Sequence, residues 1–185
     1  MSKAVLISIR PKWCEKIING EKTVEVRKTR PKLDTPFKCY IYCTLPRYPH
    51  EDFIRTDCPK PQFYGGGKVI GEFTCDRIYE LETKARGGSY YVKGEDWLTA
   101  CEVAQQSCLT LKDMHDYLHA QTGYGWHITD LRIYDAPKCL FEFWAERLCN
   151  REPSVFGCRE CCDCDKRAPQ SWCYVEEGER GEENS

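Results

Sequence analysis

The sequence has no long apolar run. None of its 185 residues falls in a stretch of 18 or more apolar residues, so no transmembrane helix is predicted. The apolar stretch near the N-terminus, AVLISI, is too short for a secretory signal, and no small-residue cleavage site accompanies it. We therefore expect a cytoplasmic protein with no membrane partner.

Several common functional signatures are also missing. The run Gly65-Gly66-Gly67-Lys68 lacks the Gly-x4-Gly-Lys-Ser/Thr spacing of a phosphate-binding loop, and we interpret it as a flexible loop. His115 and His119 are four residues apart on a predicted helix, but no third metal ligand lies near them in the sequence. No internal repeat is visible, and no organic cofactor is predicted.

Net charge is small but unevenly distributed. The formal charge is −2, yet residues 1–50 carry 11 Lys/Arg against 4 Asp/Glu, whereas the remaining residues carry 16 against 25. A basic half in an acidic chain can attract a polyanion such as nucleic acid to one face. An ordinary solvated basic surface has the same composition, so this asymmetry alone leaves both interpretations open.

The apolar content, 41% with 12% aromatics, is sufficient for a compact core. Helices are predicted after Pro11, between 94 and 104, and over 110–120, where Thr110 and Asp113 form a capping pattern. Strands are predicted at 4–9, 23–27, 37–44, 68–79 and 126–137, with a loop over 45–67 and a further strand, QSWCYVEE, near the C-terminus. Strands and helices without regular alternation predict an α+β domain built on a small β-barrel.

One short segment gathers charged residues on a predicted strand. Gly20 ends the first helix, and Lys22, Glu25 and Arg27 follow directly, with the last two on one face of the strand. Such a cation–carboxylate–cation group can form a polar pocket at the mouth of the barrel. The alternative is that these residues occupy the solvated face of an ordinary strand.

A second carboxylate lies within the predicted strand 68–79. Gly71 predicts a bulge or a close backbone approach there, and straight alternation assigns Glu72 to the face of Ile70. A carboxylate among apolar residues is costly to bury unless it is paired with a cation. We therefore predict that Glu72 joins Lys22, Glu25 and Arg27 in one site.

The run ISIRPKWCEKIINGEKTVEVRK resembles the start of the ASCH domain, a branch of the PUA-like superfamily with the signature Gly-x-Lys-x-x-Glu-x-Arg after a helix. The matching residues are Gly20, Lys22, Glu25 and Arg27. KVIGEFTCDRI and WHITDLRIYDAPK are similar to later strands of this family, and the C-terminal order is similar to small, often prophage-encoded, members.

This resemblance implies a PUA-like β-barrel that binds RNA or a modified nucleoside or nucleotide in a cleft between helix and barrel. The ligand-binding residues are then Lys22, Glu25, Arg27 and Glu72, with Trp13 and Tyr40 stacking a base unless they belong to the core. Exposed lysines and arginines nearby would add salt-sensitive attraction to phosphate: Lys12, Lys16, Lys28, Arg30 and Lys32.

One branch of the family hydrolyses N4-acetylcytidine with a lysine, a threonine and a glutamate. The resemblance places the lysine on Lys22 and the glutamate on Glu72, but Glu25 stands at the threonine position. An amidohydrolase with Lys22, Glu25 and Glu72 as catalytic residues is therefore the alternative, ranked below binding.

Fourteen cysteines are present, and five of them lie within 16 positions near the C-terminus. Without an export signal, clustered cysteines favour a structural zinc site over disulfides. The preferred ligands are Cys158, Cys161, Cys164 and Cys173, with Cys162 as a substitute. A redox-active tail and an unligated tail remain alternatives.

The chain is accordingly divided into three parts: an ASCH-like domain over 1–148, a cysteine-rich extension over 149–176, and a disordered acidic tail over 177–185. A third functional class, a protein-interaction adaptor, would use the cysteine-rich extension.

Overall fold

The computed structural model describes residues 3–51, 54–55, 63–83, 88–94, 98–143 and 168–176. Within these ranges no helix is both long enough and apolar enough to cross a membrane. The helices are α1 (Pro11–Ile18), α2 (Ala100–Gln106) and α3 (Leu111–Leu118). The strands are β1 (Lys3–Ile9), β2 (Val24–Arg27), β3 (Phe37–Cys43), β4 (Ile54–Arg55), β5 (Phe63–Tyr64), β6 (Lys68–Cys75), β7 (Ile78–Thr83), β8 (Tyr90–Val92), β9 (Gly123–His127), β10 (Thr129–Lys138) and β11 (Trp172–Glu176).

The strands form two main sheets. The five-stranded sheet has the order β10-β6-β3-β1-β11, in which β1 and β3 are parallel and the other neighbours antiparallel. The four-stranded sheet has the order β2-β9-β7-β8 and is antiparallel throughout. The strands β4 and β5 pair separately inside the segment predicted as a loop.

The described residues form three apolar clusters that pack against these sheets. The inner cluster is formed by alternate residues of β1, β3 and β6 together with Cys14 and Ile17 of α1 and Trp126 of β9. A second cluster packs α2 and α3 against the four-stranded sheet, which contributes Val24 and Val26. The third covers the outer face of the five-stranded sheet. The residues of β2 that alternate with Val24 and Val26 therefore face the inner cluster.

The first helix has the predicted limits. Pro11 starts α1, where a missing amide hydrogen costs nothing, and the chain leaves the helix through Gly20 with a φ of +73°. At α3, the capping pattern is also confirmed, because Thr110 and Asp113 exchange hydrogen bonds between side chains and backbone amides.

The α+β class is confirmed, and the two sheets of the predicted small β-barrel are not closed on each other. In the described chain, no ladder of hydrogen bonds joins the edge strands β2 and β11. Two side-chain hydrogen bonds join the segment after β2 to β11: Trp172 Nε1 donates to Thr29 Oγ1 at 3.0 Å, and the Lys32 amide donates to the Tyr174 hydroxyl at 2.7 Å. The sheets therefore pack face to face with an open edge on this side.

Two predicted strands are each divided in the structure. The predicted strand 68–79 breaks between β6 and β7, and the strand 126–137 breaks at Ile128 between β9 and β10. At each break the chain passes from one sheet to the other. Asp130, with a φ of +48°, lies just after the second break, so the backbone turns sharply there.

Candidate functional site

Three of the predicted residues meet on the inner side of the four-stranded sheet, and we call Lys22, Glu25 and Arg27 the buried charge group. The Lys22 Nζ lies 3.1 Å from Glu25 Oε2, and the Arg27 Nη2 lies 3.0 Å from Glu25 Oε1. Each side chain is less than one-tenth exposed. The residues are therefore not on an ordinary solvated strand face.

Backbone contacts from two helices position the start of this group. The amide of Lys22 donates to the carbonyl of Lys16 in α1, and the amide of Thr23 donates to the carbonyl of Gln106 at the end of α2. Glu25 then lies opposite Trp126 in the β2–β9 ladder. The glycine turn after α1 thus directs the chain into an edge strand whose inner residues are charged.

The two cations have further partners, and all of these are neutral. The Lys22 Nζ donates to the carbonyl of Ser107 at 2.7 Å, and the Arg27 Nη2 donates to the carbonyl of Ser8 at 2.6 Å. Among the described residues, Lys22 and Arg27 therefore share the one carboxylate of Glu25. Two cations beside one carboxylate favour an anionic or acceptor-rich ligand.

Unsatisfied donors lie on the same face. In the part of the chain that the structure describes, Arg27 Nε and Trp126 Nε1 are buried and have no hydrogen-bond partner. Glu25 Oε2 likewise makes no hydrogen bond of acceptable geometry, although the Lys22 ammonium lies beside it. A buried donor without a partner costs about 1–3 kcal/mol, so a ligand that supplies an acceptor here is stabilised.

Nearby thiols do not neutralise the excess charge. Burial raises the pKa of Cys14 well above its ordinary value, and the neighbouring Cys43 and Glu25 raise this pKa further. Burial also raises the pKa of Cys39, although Arg27 opposes this effect slightly. Both thiols therefore stay protonated and uncharged at neutral pH.

An aromatic side chain lies beside the buried charge group. The ring of Trp13, which is half-buried on α1, has the Lys22 Nζ 5.1 Å from its centroid. The Lys12 Nζ lies 4.2 Å from the same centroid. Trp13, predicted as a stacking residue, is therefore placed next to Lys22.

The prediction that Glu72 joins this group is wrong. Its Oε2 accepts a hydrogen bond from the Tyr134 hydroxyl at 2.8 Å, and its Oε1 lies 3.6 Å from Lys38 Nζ. Tyr134 belongs to the cluster on the outer face of the five-stranded sheet, whereas Phe73, the residue after Glu72, belongs to the inner cluster. Since adjacent strand residues point to opposite faces, Glu72 lies on the outer face.

Tyr40 is also placed away from the buried charge group. It lies opposite Glu72 in the β3–β6 ladder and packs on the outer face with its ring 4.7 Å from that of Phe143. Only 3% of Tyr40 is exposed. It is therefore a packed residue of the outer cluster, as is Tyr42, two positions later in β3.

Comparison with solved structures identifies the fold. The chain aligns with the crystal structure of an ASCH protein from Zymomonas mobilis at 16% identity and a TM-score of 0.57, over 94% of this chain and 88% of that one. Two single-residue variants of the same protein align at 17% and 16% identity with TM-scores of 0.56. These alignments cover 95% and 94% of this chain, and 92% and 89% of the variants.

The fold is that of an ASCH domain. The ASCH-type fold expected from the signature around Gly20 is thereby confirmed. No protein-family model matches the sequence, and no curated protein matches it significantly. The likeness is one of structure, and it places the buried charge group in an ASCH-type fold.

The predicted zinc ligands are mostly outside the described residues. Cys158, Cys161 and Cys164 lie there, while Cys173 lies in β11, opposite Leu6 of β1. Burial raises the pKa of the Cys173 thiol to about 11. Among the residues that the structure describes, no group of three or more His, Cys, Asp or Glu side chains is arranged to hold a metal. The structural zinc site stays a prediction.

Three members of the site had no signal in the sequence. Ser8 and Ser107 contribute only backbone carbonyls, which every residue has, and they lie far from Lys22 and Arg27 along the chain. Trp126 is aligned with Glu25 only by the β2–β9 register. A register between strands that are about a hundred residues apart cannot be read from local patterning.

Proposed function

We propose that this ASCH-fold protein binds RNA or a nucleotide at the buried charge group. The observation that supports the proposal is the surplus of donors and positive charge around Glu25. Lys22 and Arg27 share that one carboxylate, and Arg27 Nε and Trp126 Nε1 have no acceptor in the described chain. Phosphate oxygens and base carbonyls are acceptors of the kind this group lacks.

The remaining contacts suit a nucleotide better than a bare anion. Glu25 can accept a hydrogen bond from an imino or exocyclic amino N–H of a base, because its Oε2 makes no hydrogen bond with the described residues. The Trp13 ring next to Lys22 can stack a base, and the exposed Lys12 that now covers this ring can move aside. Stacking on an aromatic ring is worth about 1–3 kcal/mol per base.

The amidohydrolase alternative has less support. It needs a glutamate beside Lys22 in addition to Glu25, and Glu72 lies on the other side of the five-stranded sheet. Without that residue, Lys22 and Glu25 lack the partner that the resemblance assigned to them. The described contacts likewise contain nothing that favours a protein-interaction adaptor. Binding is therefore the function that the geometry favours.

The test is binding of a fluorescein-labelled single-stranded RNA of ten uridines, measured by fluorescence anisotropy, with UMP as competitor. We expect the parent protein to bind the RNA and UMP to displace it, and Arg27→Leu to lose most of the affinity. Because Arg27 is buried and its variant can unfold, Trp13→Ala, at a half-buried ring packed against the inner cluster, provides a second readout, and circular dichroism checks the fold of both variants. RNA binding that neither variant weakens would contradict the proposal.

Incubation with N4-acetylcytidine separates the enzyme from the binding module. We expect no free cytidine by chromatography. Release of cytidine that depends on Lys22 would instead support the amidohydrolase.

A further inference from the structure

A second aromatic residue with a lysine over its ring lies directly after the buried charge group. Lys28 follows Arg27 in the chain, and its Nζ lies 5.2 Å from the centroid of the Tyr117 ring on α3. Tyr117 is 40% exposed, so the ring is available to a ligand. The pair repeats the arrangement of Lys12 and Trp13 on α1.

The two aromatic residues lie at opposite ends of the edge strand β2. The Trp13 ring lies beside Lys22, which precedes β2, and the Tyr117 ring lies beside Lys28, which follows it. Trp13 and Tyr117 thus flank the strand that carries the buried charge group.

Carboxylates near Tyr117 already have partners. Asp113 is held by the Thr110 side chain and backbone, and Asp116 forms an ion pair with Lys112. Lys12 and Lys28 have exposed side chains, and among the described residues their ammonium groups lie over aromatic rings. Cation–π contacts at exposed sites are weak, so each ammonium can transfer to a phosphate while a base takes its place on the ring.

We propose that Tyr117 and Lys28 form a second base-stacking position, so that the ligand is a single-stranded RNA with one base on Trp13 and a later base of the same strand on Tyr117. This inference rests on the proposed function, and it extends that function from a single nucleotide to a chain. The lysines at the two rings then neutralise backbone phosphates, and the buried charge group receives the base or phosphate beside Trp13.

The experiment compares Tyr117→Ala with Tyr117→Phe and Tyr64→Ala, using the labelled ten-uridine RNA and UMP as probes. Tyr64 is an exposed tyrosine on β5 and serves as the matched control. We expect Tyr117→Ala to weaken RNA binding about 5- to 100-fold, the range that loss of one stacked base gives. Tyr117→Phe keeps the ring and is expected to keep the affinity, as is Tyr64→Ala. UMP affinity is expected to be unchanged in all three.

The outcomes distinguish this inference from the proposed function. If Trp13→Ala weakens RNA binding and Tyr117→Ala does not, the second position is wrong and the first stands. If Tyr117→Phe loses as much affinity as Tyr117→Ala, the hydroxyl and not the ring is used, and stacking is excluded. If the parent protein binds neither the RNA nor UMP, the proposed function itself fails.

Discussion

Glu25 and Glu72 look alike in the sequence and differ completely in the structure. Each is a carboxylate in a strand of largely apolar neighbours. Glu25 faces the inner cluster, where it lies between the two cations Lys22 and Arg27. Glu72 lies on the outer face, where its Oε2 accepts a hydrogen bond from the Tyr134 hydroxyl and its Oε1 lies 3.6 Å from the Lys38 Nζ.

The two clusters differ in burial and in how far their hydrogen bonds are satisfied. Both carboxylate oxygens of Glu72 have a partner, and further cations lie nearby: Arg132 is opposite Glu72 in the β10–β6 ladder, and the Lys138 Nζ lies 4.6 Å from the centroid of the Tyr134 ring. Among the described residues around Glu25, two cations share one carboxylate, and two nearby donors have no acceptor. A group with unsatisfied buried donors is where a ligand gains most from binding.

The largest expected effect is on stability. Glu25→Ala leaves two buried cations without a counter-charge, and we expect a loss of about 3–5 kcal/mol in the free energy of unfolding. Glu72→Ala removes one hydrogen bond and a weaker, partly exposed ion pair, and we expect a loss of about 1–2 kcal/mol. Urea denaturation followed by circular dichroism measures both. Equal losses would show that the two clusters are equivalent and that the inner charges are not isolated from solvent.

The second effect concerns affinity. Lys22→Met removes a cation beside Glu25, whereas Lys38→Met removes a cation beside Glu72. Charge-assisted hydrogen bonds are worth about 1.5–3 kcal/mol, so we expect Lys22→Met to weaken binding of the ten-uridine RNA by roughly 10- to 150-fold. Lys38→Met is expected to bind as the parent does. A comparable loss in Lys38→Met would place the RNA on the outer face instead.

A bulge next to Gly71 explains why counting along the sequence assigned Glu72 to the wrong face. In the β3–β6 ladder Ile41 lies opposite Gly71 and Tyr42 lies opposite Val69, so Ile70 is an extra residue. A bulge of this kind reverses the alternation of faces beyond it. Gly71 predicted this bulge in the sequence. The structure also requires a glycine there, because a Cβ at this position would lie 2.5 Å from the Arg132 carbonyl oxygen. Strict alternation of faces, counted without the bulge, predicted Glu72 on the same face as Ile70.

Local signals predicted local features well. The helix limits at Pro11 and Gly20 and the cap at Thr110 depend on residues a few positions apart, and all three are present. The position of Tyr117 beside Lys28 could not be predicted in the same way. Its position beside Lys28 depends on how α3 packs against β2, which no pattern within α3 encodes.

A third, smaller effect tests how well the inner cluster excludes water. Burial raises the pKa of the inner Cys75 thiol to about 12, while that of Cys173, which packs against the outer cluster, rises to about 11. In the unfolded chain such a thiol loses its proton near pH 9. The stabilisation by each thiol is therefore complete below pH 9 and is lost as the pH rises to the folded pKa.

For Cys75, this linkage amounts to about 1 kcal/mol between pH 9 and 10. We expect Cys75→Ala to flatten the fall in unfolding free energy over that interval by this amount, measured by urea denaturation at each pH. A slope identical to that of the parent would mean that the Cys75 thiol ionises as easily in the folded protein as in the unfolded chain.

The smallest effect separates exposed lysines that meet the ligand from those that do not. If Lys12 neutralises a phosphate, Lys12→Gln lowers the slope of log affinity against log salt by about 0.7, the value for one contact with a single strand. Lys93, held by Glu80 and Glu82 on the β7–β8 pair, is the matched control, and Lys93→Gln is expected to leave the slope unchanged. Anisotropy titrations of the labelled RNA at several salt concentrations give both slopes. Equal changes in the two variants would mean that the protein attracts RNA through its overall charge, and the surface around Trp13 would then have no special role in phosphate binding.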